Sequence, residues 1–185
     1  LGVPVGKIEA TRFSDGETRV VLNESVRGSN CFIIQSTSQP VNDNLMELFL
    51  LIDALKRASA KKIVVVMPYY GYARQDRLVD RSCVSAKVVA NFLQASRIDA
   101  LVTIDLHSSQ ITGFFDIPID DLKAANLFAD YFKKKNIKDA VVVSPDAGGV
   151  VRARKLAAFR SPVVLSLLFH VEHHAHPRMP CAELH

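Results

Sequence analysis

Arginine, amide and tyrosine side chains lie directly after one apolar run of the sequence. The segment 69–77 holds three tyrosines and continues with Arg74, Gln75, Asp76 and Arg77. Aromatic rings stack on bases, and an arginine guanidinium binds phosphate oxygens through two parallel hydrogen bonds. The segment therefore predicts a site for a ligand that carries phosphate and a base. A solvated charged loop is the alternative that composition alone leaves open.

Two further strand ends carry groups that suit a metal. Asp105 and His107 follow a second apolar run, and Asp146 follows a third, with Gly148 and Gly149 after it. In an extended chain, positions two apart face the same way, so Asp105 and His107 are expected to address one site. A carboxylate beside backbone N–H groups at a helix start suits phosphate with Mg²⁺. Zinc is disfavoured because no further nitrogen or sulfur ligand accompanies His107. A carboxylate that only orients the histidine is the alternative.

The elements that must position these groups follow a regular rhythm. Short apolar runs begin near residues 31, 63, 101 and 140, and helical patterns separate them. Asn44 with Glu47 is the predicted amino-terminal cap of the first helix, in the pattern 42–58. Ser85 or a neighbour is the predicted cap of a later helix. The alternation predicts an α/β fold with a parallel sheet and helices on both of its faces. Ligands of such sheets bind at the carboxyl ends of the strands, where the polar groups lie.

A hairpin precedes these units. The pair Asp15-Gly16 predicts a turn between strands at 5–10 and 18–22,. From the spacing, the turn is either a polar surface feature or a loop that offers Phe13 for stacking and Asp15 and Glu17 as acceptors.

Composition limits the class of protein. The 185 residues are 49% hydrophobic and 23% charged, with a net charge of +4, which predicts one domain. No dense basic block argues for nucleic acid. No signal peptide or membrane-length apolar run is seen. The three cysteines are odd in number, which favours reduced thiols and a cytoplasmic location.

Six segments together carry a resemblance. They are FSDGE (13–17), NDNLME (42–47), YARQDR (72–77), TIDLH (103–107), GFFDIP (113–118) and SPDAGG (144–149). In this order the chain resembles ribose-phosphate pyrophosphokinases (phosphoribosyl pyrophosphate synthetases) over residues 1–157. The resemblance implies a type I phosphoribosyltransferase-like domain whose first strand and helix are missing. An ordinary phosphoribosyltransferase is a weaker rival.

The resemblance also implies an activity and a set of site residues. The family transfers the pyrophosphoryl group of Mg²⁺-ATP to the 1-hydroxyl of ribose 5-phosphate, giving phosphoribosyl pyrophosphate and AMP. Arg74 and Gln75 would hold ATP. His107 would contact ATP and the metal as the catalytic residue, and Asp146 would be a second metal contact.

Two subsidiary sites are implied in the same way. Phe13, Asp15 and Glu17 would receive the adenine of a neighbouring subunit's ATP, which implies a homo-oligomer with a shared active site. Four positions resemble those where the family binds phosphate or ADP as regulators: Ser25, Arg27, Arg81 and Ser85. The segment 78–84 departs from the family pattern, with Cys83 where a proline is usual.

The resemblance ends near residue 157. Residues 158–185 lack the acidic ribose phosphate loop of the family and hold five of the six histidines. We interpret them as an unrelated tail from a frameshift or truncation, with transition-metal binding as the alternative. The chain alone is therefore expected to have little or no turnover. A non-catalytic, synthetase-associated interaction subunit is the alternative function.

Overall fold

The computed structural model describes residues 2, 4–135, 141–158 and 164–167. The chain divides into two compact units, Leu1–Leu122 and Lys123–His185. The first unit contains, in order, β1 Ile8–Arg12, β2 Thr18–Leu22, β3 Asn30–Ile34, α1 Val41–Arg57, β4 Lys62–Met67, α2 Ser85–Ala95, β5 Ala100–Ile104, a 3₁₀ helix Ser109–Phe114 and β6 Ile119–Leu122.

A four-stranded parallel sheet forms the centre of the first unit, in the order β3-β4-β5-β6. Its register places Met67 at the end of β4 opposite Thr103 near the end of β5. The α/β class with a parallel sheet flanked by helices is confirmed. Because the strands run in one direction, the segments that follow them begin at a common edge of the sheet.

The core lies against one face of this sheet. Ile33, Val65 and Leu101 occupy neighbouring strands in register, and apolar residues of both α1 and α2 pack with them in one cluster. Leu48 and Leu93 are the fully buried contacts of the two helices. The spacing of three and four residues in both helices produces this buried stripe. Phe32 and Ile34 point to the other face and are exposed.

The hairpin forms as the sequence predicts. Strands β1 and β2 pair antiparallel from Ile8 with Leu22 to Arg12 with Thr18. Gly16 has φ +92°, a left-handed conformation that suits glycine at this turn,. The first strand begins at Ile8 rather than at Val5.

Two sequence predictions about the elements are wrong. The fourth strand of the sheet is β6, a short segment with two aspartates that the apolar pattern did not reveal. The helix α1 begins at Val41 after Pro40, so Asn44 lies inside its first turn and its side chain donates to Ser38 O at 2.9 Å.

The second unit contains α3 Ala124–Lys134, β7 Val141–Ser144, a short 3₁₀ helix Ala147–Gly149, α4 Val150–Ala158 and β8 Val164–Leu167. Strand β8 pairs in parallel with β7, from Val141 with Val164 to Ser144 with Leu167. This strand falls inside the segment that the sequence assigns to an unrelated tail. The tail's histidine cluster lies outside the described residues, and the boundary at 157 stays a prediction.

Within the described part of the chain, no helix combines the length and apolar character needed to cross a membrane.

Candidate functional site

The loop after β4 and the segment after β5 meet at the carboxyl edge of the sheet. Gln110 donates from Nε2 to the main-chain oxygen of Asp76 at 3.1 Å. Charge on His107 also acts on the Asp76 carboxylate. Two of the polar groups predicted from separate strands are therefore neighbours within the first unit.

Asp76 is a buried charged residue of this loop, with 8% of its surface exposed. The nearby Ser108 hydroxyl is the largest influence that lowers the pKa of Asp76; burial opposes the shift, and His107 and Gln110 add to it. The hydroxyl oxygen of Ser108 is buried and reaches hydrogen-bonding geometry with no described group, so it acts here as a nearby dipole. Asp76 thus stays ionised beside His107. Asp76 belongs to the loop predicted to bind a ligand, although the sequence alone gives it no specific role there.

The chain turns sharply before His107. Strand β5 ends at Ile104, and Asp105 has φ +47°. Leu106 is then buried, with its N–H donating to Asp121 Oδ1 at 3.1 Å, while His107 is exposed. The chain is therefore not extended at Asp105, contrary to the geometry from which a shared site was predicted, and the shared site for Asp105 and His107 stays a prediction. Such strained positions are common at functional sites.

Arginine side chains line an open cavity of about 630 Å³ in the loop after β4. Arg74, Gln75 and Arg77 line it from one end of the loop, and Val79, Asp80, Arg81 and Ser82 from the other. Three arginines against one carboxylate, Asp80, leave an excess of positive charge, which favours an anionic ligand that guanidinium groups can bind through paired hydrogen bonds. The cavity joins two residues predicted to hold ATP with one predicted to bind a regulator.

Tyr70 is buried in the core, so its ring is not available to stack on a ligand. Its ring is 3% exposed and its hydroxyl donates to Ala86 O at 2.9 Å. Burial raises the pKa of Tyr70. Tyr69 and Tyr72 are the exposed aromatic residues of this loop.

The first turn of α1 binds both the hairpin and the loop after β4. Asp43 Oδ2 accepts from Arg12 at 2.8 Å, next to Phe13 at the hairpin turn. Asn42 Oδ1 accepts from the Tyr72 hydroxyl, two residues before Arg74. Sequence reasoning missed Asn42 and Asp43 as positioning residues, although both lie in the NDNLME segment that carried the resemblance.

Phe13 begins the hairpin turn, where its N–H donates to Glu17 O at 2.8 Å. The ring is 54% exposed. Asp15 Oδ1 accepts from the Glu17 N–H at 3.1 Å, so part of the predicted acceptor set already stabilises the turn. The exposed ring can contact another molecule, and the Asp15 and Glu17 side chains beside it are also exposed.

The four predicted regulatory residues lie at two ends of the first unit. Ser25 and Arg27 lie just before β3, where the Gly28 N–H donates to Ser59 O at 2.9 Å at the amino edge of the sheet. Arg81 and Ser85 lie in the loop and helix start that follow the carboxyl end of β4. One copy of the chain does not bring all four together.

Asp146 belongs to the second unit, where it begins the short 3₁₀ helix. Its Oδ1 accepts from the Gly149 N–H at 2.7 Å, so that N–H is not available to a phosphate. A Cβ at Gly149 would lie 2.6 Å from Ser144 Oγ, which explains the glycine. The second carboxylate oxygen has no recorded partner among the described residues.

The predicted metal ligands, His107 and Asp146, suit Mg²⁺ better than a metal ion that is coordinated only by protein side chains. No group of three or more His, Cys, Asp or Glu side chains suitable for a metal occurs among the residues that the structure describes. Mg²⁺ typically takes one or two protein ligands, with phosphate oxygens and water supplying the rest. His107 and Asp146 lie in different units, and their joint use by a metal stays a prediction.

Comparison with known proteins agrees with this geometry. The family model described as the N-terminal domain of ribose phosphate pyrophosphokinase matches residues 1–96. Ribose-phosphate pyrophosphokinase 1 of Streptococcus pyogenes is 57% identical over 169 residues, which cover 89% of this chain and 53% of that protein. The ribose-phosphate pyrophosphokinase of Bacillus caldolyticus is 56% identical over 167 residues, with the same two coverages.

A solved structure gives the same result. Phosphoribosylpyrophosphate synthetase from Mycobacterium smegmatis matches with a TM-score of 0.84 and 43% identity, over 90% of this chain and 57% of that one. The chain spans about half the length of the curated relatives it matches. The matched domain, the sequence identity and the shared fold together show that this chain belongs to the ribose-phosphate pyrophosphokinase family.

Proposed function

We propose that this chain supplies the ATP side of a site that transfers the pyrophosphoryl group of ATP to the 1-hydroxyl of ribose 5-phosphate. The products are phosphoribosyl pyrophosphate and AMP. The observation that carries the proposal is the arginine-lined cavity with Arg74 and Gln75, whose loop contacts the His107 segment through Asp76. The name of the relatives, ribose-phosphate pyrophosphokinase, supports pyrophosphoryl transfer to a ribose phosphate as the reaction at this site.

The residues act mainly by position and charge. A phosphoryl group in transfer spreads negative charge over its oxygens, and pre-placed cations stabilise that charge. Arg74 and Arg77 carry such cations at the cavity, and the exposed His107 is placed to contact a phosphate oxygen. Mg²⁺, when bound, would neutralise phosphate charge, with His107 and Asp146 as the protein groups that hold it. Ionised Asp76 keeps a negative charge next to His107.

The proposal includes a homo-oligomer that shares its sites. Phe13, Asp15 and Glu17 would receive adenine from the neighbouring copy, and the exposed Phe13 ring supports this. We place the reaction in the cytoplasm, because Cys31 and Cys83 are both free thiols,.

The isolated chain is expected to show little or no turnover, because it spans about half of its active relatives. The purified 185 residues, ATP, Mg²⁺ and ribose 5-phosphate would be combined, and AMP release followed by a coupled assay. AMP release at a rate typical of the family would refute the expected inactivity.

A chimera tests the catalytic roles. Residues 1–157 would replace the matching part of the Bacillus caldolyticus enzyme. In an active chimera, His107→Ala and Asp146→Ala are each expected to lower kcat by about 100-fold or more, whereas Asp130→Ala, which removes an exposed carboxylate of α3, should leave kcat unchanged.

Unchanged rates in the first two variants would remove His107 and Asp146 from the site. A folded but inactive chimera would favour the alternative, a non-catalytic subunit that associates with active synthetase chains.

A further inference from the structure

The start of α2 holds Gln75 at two points. The Ala86 N–H donates to the main-chain oxygen of Gln75 at 3.1 Å. The Ser85 hydroxyl donates to the side-chain oxygen Oε1 of the same residue. Cys83 Sγ lies 3.9 Å from Oε1 and 3.1 Å from Ser85 Oγ, so a hydroxyl and a thiol both face this oxygen.

The orientation of an amide decides what it can recognise. A glutamine side chain has one accepting oxygen and one donating NH₂ group. With Oε1 of Gln75 occupied by Ser85, the group left for a ligand is the Nε2 donor, which has no recorded acceptor among the described residues. Gln75 is exposed and lines the cavity beside Arg74 and Arg77. A donor placed with two guanidinium groups suits a phosphate oxygen.

The helix itself does not require this hydroxyl. The cap position of α2 is Val84, and no side chain caps the helix. The N–H groups of Ala86, Lys87 and Val88 donate to main-chain oxygens of Gln75 and Val84. Ser85 is half-buried at the helix start, and its hydroxyl donates to Gln75. The Ser85 hydroxyl therefore holds Gln75 in the loop after β4 and does not cap the helix.

We propose that Ser85 is a positioning residue for the nucleotide site: it fixes the Gln75 amide so that Nε2 donates to a phosphate oxygen of ATP. This inference rests on the proposed function, in which Gln75 holds ATP. It gives Ser85 a role different from the regulatory one that the resemblance implies.

The test is ATP binding to the 185-residue chain by isothermal titration calorimetry. Gln75→Met, which keeps the length but removes both polar atoms, is expected to weaken binding about tenfold. Ser85→Ala should weaken binding about fivefold by releasing the amide. Ser85→Thr keeps the hydroxyl and should restore the affinity of the original chain.

Two further variants separate orientation from stability. Gln75→Glu would place a carboxylate oxygen where Nε2 faces phosphate, so it should bind ATP more weakly than Gln75→Met. Ser96→Ala is the matched control: its hydroxyl donates to Phe92 O at 2.8 Å at the other end of α2, and its removal should not change ATP affinity.

The double variant Ser85→Ala with Gln75→Met decides the matter. If Ser85 acts through Gln75, the double variant binds ATP as Gln75→Met does. A further fivefold loss in the double variant would show an effect through the helix and would overturn the proposal. Unchanged binding by Ser85→Ala, with Gln75→Met weakened, would overturn it while leaving the ATP role of Gln75 in place. Unchanged binding by Gln75→Met, or no ATP binding by the original chain, would remove that role and this inference together.

Discussion

Several residues at the carboxyl edge of the sheet differ from their neighbours in sequence in backbone conformation or in burial. Tyr72 and Asp105 have φ +65° and +47°, a region that side chains other than glycine adopt at a cost of about 1 kcal/mol or more,. Asp76 is buried while Arg74, Gln75 and Arg77 around it are exposed. The result is that cationic and amide groups face outward while a carboxylate stays inside, next to His107.

Asp76 is expected to make stability depend on pH. Because the pKa of Asp76 is lower in the folded chain than in the unfolded one, its carboxylate stabilises the fold above the unfolded value of about 3.9,. This contribution is lost as pH falls through the folded value. Asp76→Asn should therefore lower the free energy of unfolding at pH 7 by about 1 to 2 kcal/mol, with a smaller difference from the original chain at pH 3.

Urea unfolding followed by circular dichroism at the two pH values measures both differences. Asp80→Asn, which changes an exposed carboxylate of the same loop, is the control. A loss from Asp76→Asn that is equal at both pH values would contradict the linkage.

At the scale of elements, the first turn of α1 links parts of the chain that are far apart in sequence. Arg12 of β1 reaches Asp43, and Tyr72 of the loop after β4 reaches Asn42. The helix thereby sets the hairpin turn and the loop after β4 relative to one another. Its own start follows Pro40 and uses no side-chain cap.

Asp43→Asn is expected to loosen the hairpin more than it destabilises the fold. The Arg12–Asp43 pair is about half exposed, so its loss should cost less than about 1 kcal/mol of unfolding free energy,. Amide hydrogen exchange at residues 12–18 should nevertheless become faster, because this contact fixes the turn.

Asp53→Asn makes the same change on the same helix and breaks the exposed Asp53–Arg57 pair instead. It should leave exchange at residues 12–18 unaltered. Equal exchange rates in the two variants would show that Asp43 does not hold the hairpin.

At the scale of the whole molecule, the proposed shared site requires Phe13 of one copy to contact the nucleotide bound by another copy. The hairpin and the loop after β4 are attached to the same helical turn of one copy, yet Phe13 is exposed to solvent. The family resemblance implies a site shared between copies. Closed symmetric oligomers would repeat such a site at every interface.

Mixing two defective chains distinguishes the arrangements. Phe13→Ala and Arg74→Ala are each expected to weaken ATP binding. If sites are shared, an equal mixture after subunit exchange should recover full affinity at roughly a quarter of its sites, since a random pair supplies both intact residues that often. Calorimetric titration of the mixture gives the number of tight sites. No recovery after confirmed exchange would place Phe13 and Arg74 of one site on the same copy.

The sequence by itself determined the elements with a strong local pattern. The apolar stripe of α1, the β-branched run of β4 and the Asp-Gly turn each depend on neighbours in the chain, so periodicity and turn chemistry predicted them. The repeated alternation of strands and helices predicted a parallel sheet, and therefore that the polar residues after each strand lie at one edge of it. The contact between the Asp76 loop and the His107 segment agrees with that expectation.

Only the tertiary structure decided the pairings and orientations. Strand β6 has no apolar run of its own and is a strand because β5 offers it hydrogen bonds. Asp105 leaves the extended conformation, Tyr70 enters the core, and Ser85 faces Gln75, each through contacts with residues distant in sequence. Local pattern measures what a segment prefers alone, whereas these choices follow from which groups the folded chain brings together.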